Sequence, residues 1–168
     1  MAGRFSVVAL DPGADRSEFE CGVEPLDRYF KTQVSQDIKR RVTACFTALD
    51  ANGRVAGYYT LASASILLTD LPENLTKKLP RYPNVPAVRM GRLAVDQSYK
   101  GKGLGAALLA DALRRAATAE IAAYAFVVDA KDESAAEFYA HHGFRATAEN
   151  PFFLYLPLAT VKDLVNLS

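Results

Sequence analysis

Apolar and polar residues along the chain fall into blocks of two kinds, alternating or helically spaced, and the blocks predict its elements. Phe5 to Leu10 reads as a short opening strand, closed by the turn former Asp11-Pro12-Gly13. Leu26, Tyr29, Phe30, Val34 and Ile38 lie 3, 4, 8 and 12 residues from the first. That is the stripe of one amphipathic helix, with Pro25 suited to its first turn. Cys45 to Leu49 and Val55 to Ser63 are strand-like, and the Asn52-Gly53 between them signals a hairpin. Ile66 to Pro86 carries prolines at 72, 80, 83 and 86 and is predicted irregular, with one helical turn after Pro72. Val88 to Val95 is a strand, Gly101 to Gly105 a Gly-rich loop, and Leu104, Leu108, Leu109, Ala112, Leu113 and Ala116 a helix stripe. Tyr124 to Asp129 reads as a buried strand, Ser134 to His142 as a helix ended by Gly143, and Phe152 to Leu158 as a last strand. The order β-α-ββ-irregular-β-α-β-α-β implies a mixed α/β sheet with helices on its faces.

With 168 residues and 18.3 kDa the chain is predicted to be a single domain, 1–168, and with 50% hydrophobic and 23% charged residues it is neither disordered nor fibrous. Its longest apolar runs, Ala106 to Ala110 and Ala122 to Val128, are too short to span a membrane, and the opening residues lack a secretory stretch, so a cytoplasmic protein is expected. Cys21 and Cys45 form no metal or disulfide pattern and read as reduced thiols. The net charge of +1 is unevenly spread: residues 1–38 carry −3, residues 39–115 carry +8 and residues 116–168 carry −4. An anion is therefore expected against the middle of the chain.

That middle contains the most informative segment. Gly101, Gly103 and Gly105 alternate with Lys102 and Leu104 and open a helix whose free N–H groups and dipole favour a pyrophosphate. No Gly-Lys-Ser/Thr closes the loop and its spacing is not G-x-G-x-x-G, which excludes both common nucleotide fingerprints.

The pattern Lys100-x-x-Gly103-x-Gly105 after a strand resembles the phosphate loop of the GNAT superfamily of acetyl-CoA-dependent N-acetyltransferases, with Lys100 where Arg or Gln is usual. Gly57-Tyr58-Tyr59-Thr60-Leu61, Asp129-Ala130 and the Phe-Tyr-x-x-x-Gly-Phe signature at residues 138–144 extend the resemblance over most of the chain. Phe19-Glu20-Cys21-Gly22-Val23-Glu24-Pro25-Leu26-Asp27 and Gly91-Arg92-Leu93-Ala94-Val95-Asp96 are similar to the GNAT toxins of bacterial toxin–antitoxin pairs, which acetylate the α-amino group of aminoacyl-tRNA. The resemblance implies the GNAT fold, a central mixed, mostly antiparallel sheet flanked by helices on both faces. It implies acetyl-CoA as co-substrate without a metal, aminoacyl-tRNA and a small ribbon-helix-helix antitoxin as partners, and admits a homodimer.

By the same resemblance Leu93, Ala94 and Val95 meet the pantetheine through their backbone, Lys100, Gly101, Lys102, Gly103, Leu104, Gly105 and Ala106 hold the pyrophosphate, and Tyr139 is catalytic. Asp129, which reads as a strand-end capping residue, and Phe138 join the cofactor side. Thioester aminolysis needs a neutral amine, oxyanion donors and an acid for the departing thiolate, and Tyr139 suits the last role. His141 and His142 sit at a helix C-terminus, where their charge suits the dipole, so no strong general base is evident. Without a base an α-amine is favoured over a lysine, since at pH 7 roughly one in ten α-amines is neutral against about one lysine in 2,500. Lys39, Arg40, Arg41, Lys77, Lys78, Arg89 and Arg92 form the expected track for tRNA phosphates. The competing expectations are a GNAT enzyme acting on a small-molecule amine or protein lysine, and an inactive acyl-CoA-binding module.

Overall fold

The structure, a computed structural model, describes residues 5–165, with side chains as far as Val161. Seven strands, β1 (Ser6–Ala9), β2 (Ala44–Leu49), β3 (Val55–Leu67), β4 (Asn84–Val95), β5 (Ala125–Asp129), β6 (Arg145–Ala146) and β7 (Phe153–Pro157), are hydrogen-bonded in the order β1-β2-β3-β4-β5-β7-β6. The ladders β1–β2, β2–β3, β5–β7 and β6–β7 are antiparallel and β4–β5 is parallel. The helices are α1 (Glu24–Thr32), α2 (Val34–Lys39), α3 (Glu73–Thr76), α4 (Leu104–Thr118), α5 (Glu133–His141) and α6 (Leu158–Val165). The chain divides into two compact units, residues 1–62 with 91–112 and residues 63–90 with 113–168.

In the first unit the predicted hairpin forms as expected. Asp50 Oδ1 accepts the N–H groups of Asn52 and Arg54, both at 2.9 Å, and Gly53 takes φ 82°. The core under it is aromatic: Phe30 stacks on Tyr58 with ring centroids 4.3 Å apart and Phe19 meets both edge-on. Tyr58 leaves no polar atom stranded, since its hydroxyl donates to the Leu26 carbonyl at 2.7 Å. The single predicted helix over Leu26 to Ile38 is two helices. Thr32 Oγ1 donates back to the Arg28 carbonyl at 2.6 Å, a bond that competes with the helix ladder, and Gln33 (φ −124°, ψ −31°) ends α1 and starts α2. The break is confined to Gln33, and Val34 is still buried.

Gly57 explains why β3 needs glycine where its neighbours are large. A Cβ there would lie 2.9 Å from the Ala94 carbonyl oxygen and 2.8 Å from Leu108 Cδ1.

In the second unit β5 is buried throughout its apolar run, as its unbroken Ala-Phe-Val-Val sequence requires of a central strand. Ile66, Leu71, Val85, Ala87, Val127 and Tyr155 form a core there. The predicted irregular stretch is shorter than expected, because β3 runs to Leu67 and β4 begins at Asn84. Pro86 is tolerated inside β4: it has no N–H to place, and its carbonyl accepts the Tyr124 N–H at 2.9 Å. A 3-10 turn at Leu68–Asp70 and α3 fill the remainder, α3 following Pro72 as predicted. The two-residue β6 and the helix α6 were not predicted. Leu158, read as the end of a strand, starts that helix, an ambiguity inherent in short apolar runs.

Gly57→Ala is expected to lower the unfolding free energy by about 1–3 kcal/mol through overpacking against main chain that cannot rotate away. An unchanged urea midpoint would show that the sheet absorbs the methyl group.

Candidate active site

In the first unit β4 leads through a 3-10 turn (Gln97–Tyr99) into the Gly-rich loop and α4. The turn is held by Asp96, only 2% exposed, whose carboxylate accepts from Ser98 N at 2.9 Å and Glu20 N at 3.0 Å. Gly101 (φ 78°) and Gly103 (φ 79°) adopt the left-handed region with open space around a notional Cβ, so conformation and not crowding demands glycine. Gly105 differs: its notional Cβ is 3.9 Å from Val95 Cγ2, an ordinary contact, so the protein alone does not require glycine there. Leu104 is buried and seats the helix start, while Gly105 and Ala106 are half-buried in the first turn, whose N–H groups have no intrahelical acceptor. The exposed Lys102 has its ammonium 5.8 Å from the Tyr99 ring centroid, whereas Lys100 Nζ donates to the Cys21 carbonyl at 2.6 Å. Leu93 and Val95 are half-buried and Ala94 is buried. β4 outruns its ladder with β5, which stops at Met90↔Val128.

In the second unit the Phe-Tyr-x-x-x-Gly-Phe signature is a Schellman cap. Asp132 starts α5 by accepting the Ala135 N–H at 2.8 Å. At the other end Gly143 (φ 96°) donates to the Ala140 carbonyl at 3.0 Å and Phe144 donates to that of Tyr139 at 3.1 Å. The hydrophobic contact that accompanies the motif is Phe144 on Tyr139, with ring centroids 5.5 Å apart. The signature's Gly and Phe therefore anchor its Tyr. Tyr139 is 8% exposed, and burial pushes its hydroxyl up to about 12 because the phenolate would lose solvation. That hydroxyl makes no hydrogen bond among the described residues. Phe138 is half-buried against Tyr139 and His142. Asp129, at the end of β5, is ion-paired with Arg89.

The predicted phosphate track divides by environment. Lys39 ends α2, Arg40 caps it and Arg41 follows with φ 60°; these three and Lys77 and Lys78 after α3 are exposed. Arg92 is half-buried, its guanidinium 3.4 Å from the Tyr29 ring centroid, and Tyr29 in turn donates to Asp37 at 2.7 Å. Asp96, Asp27 and Gly22 were not singled out by sequence reasoning. Asp27 Oδ1 accepts the Cys21 N–H at 2.8 Å, and a Cβ on Gly22 would lie 2.5 Å from Gln97 Nε2. All three lie inside the Phe19–Asp27 and Gly91–Asp96 motifs, where the sequence marks them but gives them no partner.

A family model described as an acetyltransferase (GNAT) domain matches residues 15–154. The chain belongs to the GNAT acetyltransferase family. It is 31% identical to a tRNA-acetylating toxin of Mycobacterium tuberculosis over 98% of this chain and 99% of that one. It is 30% identical to a probable toxin TacT of Sinorhizobium fredii over 98% and 97%. Among solved structures it is similar to AtaT complexed with acetyl-methionyl-tRNAfMet, with TM-score 0.88 and 30% identity over 96% of this chain and 99% of that one. A tyrosine-to-phenylalanine AtaT toxin bound to acetyl-CoA and the C-terminus of the antitoxin AtaR gives TM-score 0.79 and 26% identity over 96% and 98%.

The GNAT protein is thus an N-acetyltransferase with acetyl-CoA as donor, and its residues fit that cofactor: a loop with two left-handed glycines opening a helix, and a buried phenol whose hydroxyl has no protein partner among the described residues. Among the described residues no group of three His, Cys, Asp or Glu could hold a metal, and no helix is long and apolar enough to cross a membrane.

Tyr139→Phe removes one oxygen and leaves the Schellman cap intact, so acetyl-CoA affinity should persist while kcat falls by about 10²–10⁴-fold. Calorimetry and steady-state kinetics on one preparation test this, and wild-type turnover would transfer the acid role elsewhere.

Proposed function

We propose that this GNAT enzyme acetylates the α-amino group of aminoacyl-tRNA and so removes charged tRNA from translation, acting in the cytoplasm under the restraint of a small ribbon-helix-helix antitoxin. The observation that carries the reading is end-to-end similarity to a tRNA-acetylating toxin, since a shared fold alone would leave the acceptor open. The proposed unit is a single domain, residues 1–168, and the reading admits a homodimer.

When bound, acetyl-CoA supplies an activated thioester. The backbone of Leu93, Ala94 and Val95 receives the pantetheine, the loop from Lys100 to Ala106 meets the pyrophosphate, and Asp129 and Phe138 are assigned to the cofactor as well. The neutral amine forms the new N–C bond, the C–S bond breaks, the amine's surplus proton goes to solvent, and the Tyr139 hydroxyl protonates the departing sulfur before solvent reprotonates the phenolate. Because burial raises that hydroxyl to about 12, it stays protonated throughout the neutral range and cannot serve as a base there. Deprotonation of the acceptor then falls to its own low pKa of ~7.7–8.0, which is the property that separates an α-amine from a lysine. Of the seven cations of the proposed track for the tRNA phosphates, Lys39, Arg40, Arg41, Lys77 and Lys78 carry no hydrogen bond or ion pair among the described residues. Arg89 and Arg92 join that track by exchanging Asp129 and the Tyr29 ring for phosphate.

Transfer of labelled acetyl from acetyl-CoA to a pool of charged tRNAs should be seen, and it should weaken as salt is added. Between pH 6 and 9, kcat/KM should rise until about pH 8 and then level off, with no falling limb from Tyr139. Acetylation of polyamines or peptide lysines with charged tRNA untouched would replace the acceptor.

A further inference from the structure

Two lysines flank the first left-handed glycine of the pyrophosphate loop, and the protein treats them differently. Lys102 is exposed, with no hydrogen bond or ion pair among the described residues. Lys100 is bonded to the main-chain carbonyl of Cys21 at 2.6 Å, 79 positions away in sequence. That bond belongs to a strap. Glu20 N donates to Asp96 Oδ2 at 3.0 Å, Gln97 N donates to the Glu20 carbonyl at 2.9 Å, and Gly22, at φ 92°, lies so close to Gln97 that a Cβ would overlap its amide. The strap's far side is fixed in turn by Asp27, which holds the Cys21 N–H from the start of α1.

We infer that Lys100 is a positioning residue, fastening the pyrophosphate loop to the Glu20–Gly22 strap, while Lys102 is the cation that faces the cofactor's phosphates. The loop needs such a fastening because Gly101 and Gly103 are the residues least restrained by their own backbone, and their left-handed conformation has to be present before the ligand arrives. An ammonium held on a carbonyl supplies a charge-assisted bond at the loop's first residue, immediately before the flexible pair. The inference rests on acetyl-CoA as the ligand of this loop.

The test reads the free enzyme and the complex separately. In Lys100→Met, amide hydrogen exchange at residues 97–105 of the cofactor-free protein should speed up, and the Kd for acetyl-CoA should rise about tenfold, the value of one lost hydrogen bond to a charged group. In Lys102→Met the Kd should rise while exchange in the free protein stays as in the wild type. Gly22→Ala disrupts the same strap, so its effect on Kd should be less than additive with Lys100→Met. Lys100 is exposed, so should Gly22→Ala not fold, the Lys100→Met measurements decide alone. A raised Kd with unchanged exchange would make Lys100 a direct phosphate contact. Faster exchange with unchanged Kd would make it purely structural, and either result overturns the inference, as does no change in both. A wild-type protein that fails to bind acetyl-CoA would instead refute the ligand.

Discussion

Burying a carboxylate requires hydrogen-bond donors for its oxygens, and that constraint at Asp96 organises the first unit. Asp96 sits 2% exposed where β4 ends, and its two oxygens are met by the main-chain N–H groups of Ser98 and Glu20. Arg54 lies 3.8 Å away across the hairpin. One side chain therefore ends the strand, shapes the turn into the Gly-rich loop and draws in the segment before α1. Tyr99, inside the turn so formed, donates to Asp50 at the hairpin tip, a bond that holds the Asp50 carboxyl below its ordinary range. The loop's geometry is thus set from outside the loop.

The second unit solves a comparable problem with backbone bonds. The acid role proposed for Tyr139 requires a hydroxyl shielded enough to keep its proton and still unsatisfied. The Schellman cap achieves both, since Gly143 and Phe144 satisfy the carbonyls of Ala140 and Tyr139 and lay the Phe144 ring against the phenol without using its oxygen. Tyr58, also buried, shows the contrast: its hydroxyl donates to the Leu26 carbonyl and has no proton left to offer a substrate. Between these two tyrosines, hydrogen bonding and not burial decides which hydroxyl is free to meet a substrate.

Periodicity made most of the sheet legible in the sequence, because β5's unbroken apolar run and the Asn52-Gly53 turn have single physical readings. The α1–α2 break was not legible, since it depends on one Thr32 hydroxyl turning back to Arg28 without disturbing the apolar spacing. Pro86 misled in the other direction, as a proline excludes a strand only where its N–H is needed. For the site, glycines and motifs located the loop and Tyr139, but the strap that joins Glu20, Cys21 and Gly22 to Asp96, Gln97 and Lys100 is long-range and mostly main chain. No local pattern encodes such bonds.

Charge counting along a sequence also overstates what a polyanion can use. The +8 of residues 39–115 includes Lys100, which is held by a carbonyl, Arg89, which is ion-paired with Asp129, and Arg92, whose guanidinium sits over the Tyr29 ring. Arg92 is the instructive case. Its position beside the Leu93-Ala94-Val95 strand suggests a substrate contact, yet a guanidinium 3.4 Å from a ring centroid already has a partner, and moving it to a phosphate forfeits that contact. Exposed cations such as Lys39, Arg40 and Arg41 keep their hydration until they meet an anion, so counterion release favours them. In the proposed tRNA track the cations that the fold leaves unspent therefore contribute more than Arg89 and Arg92, each of which must give up a partner first.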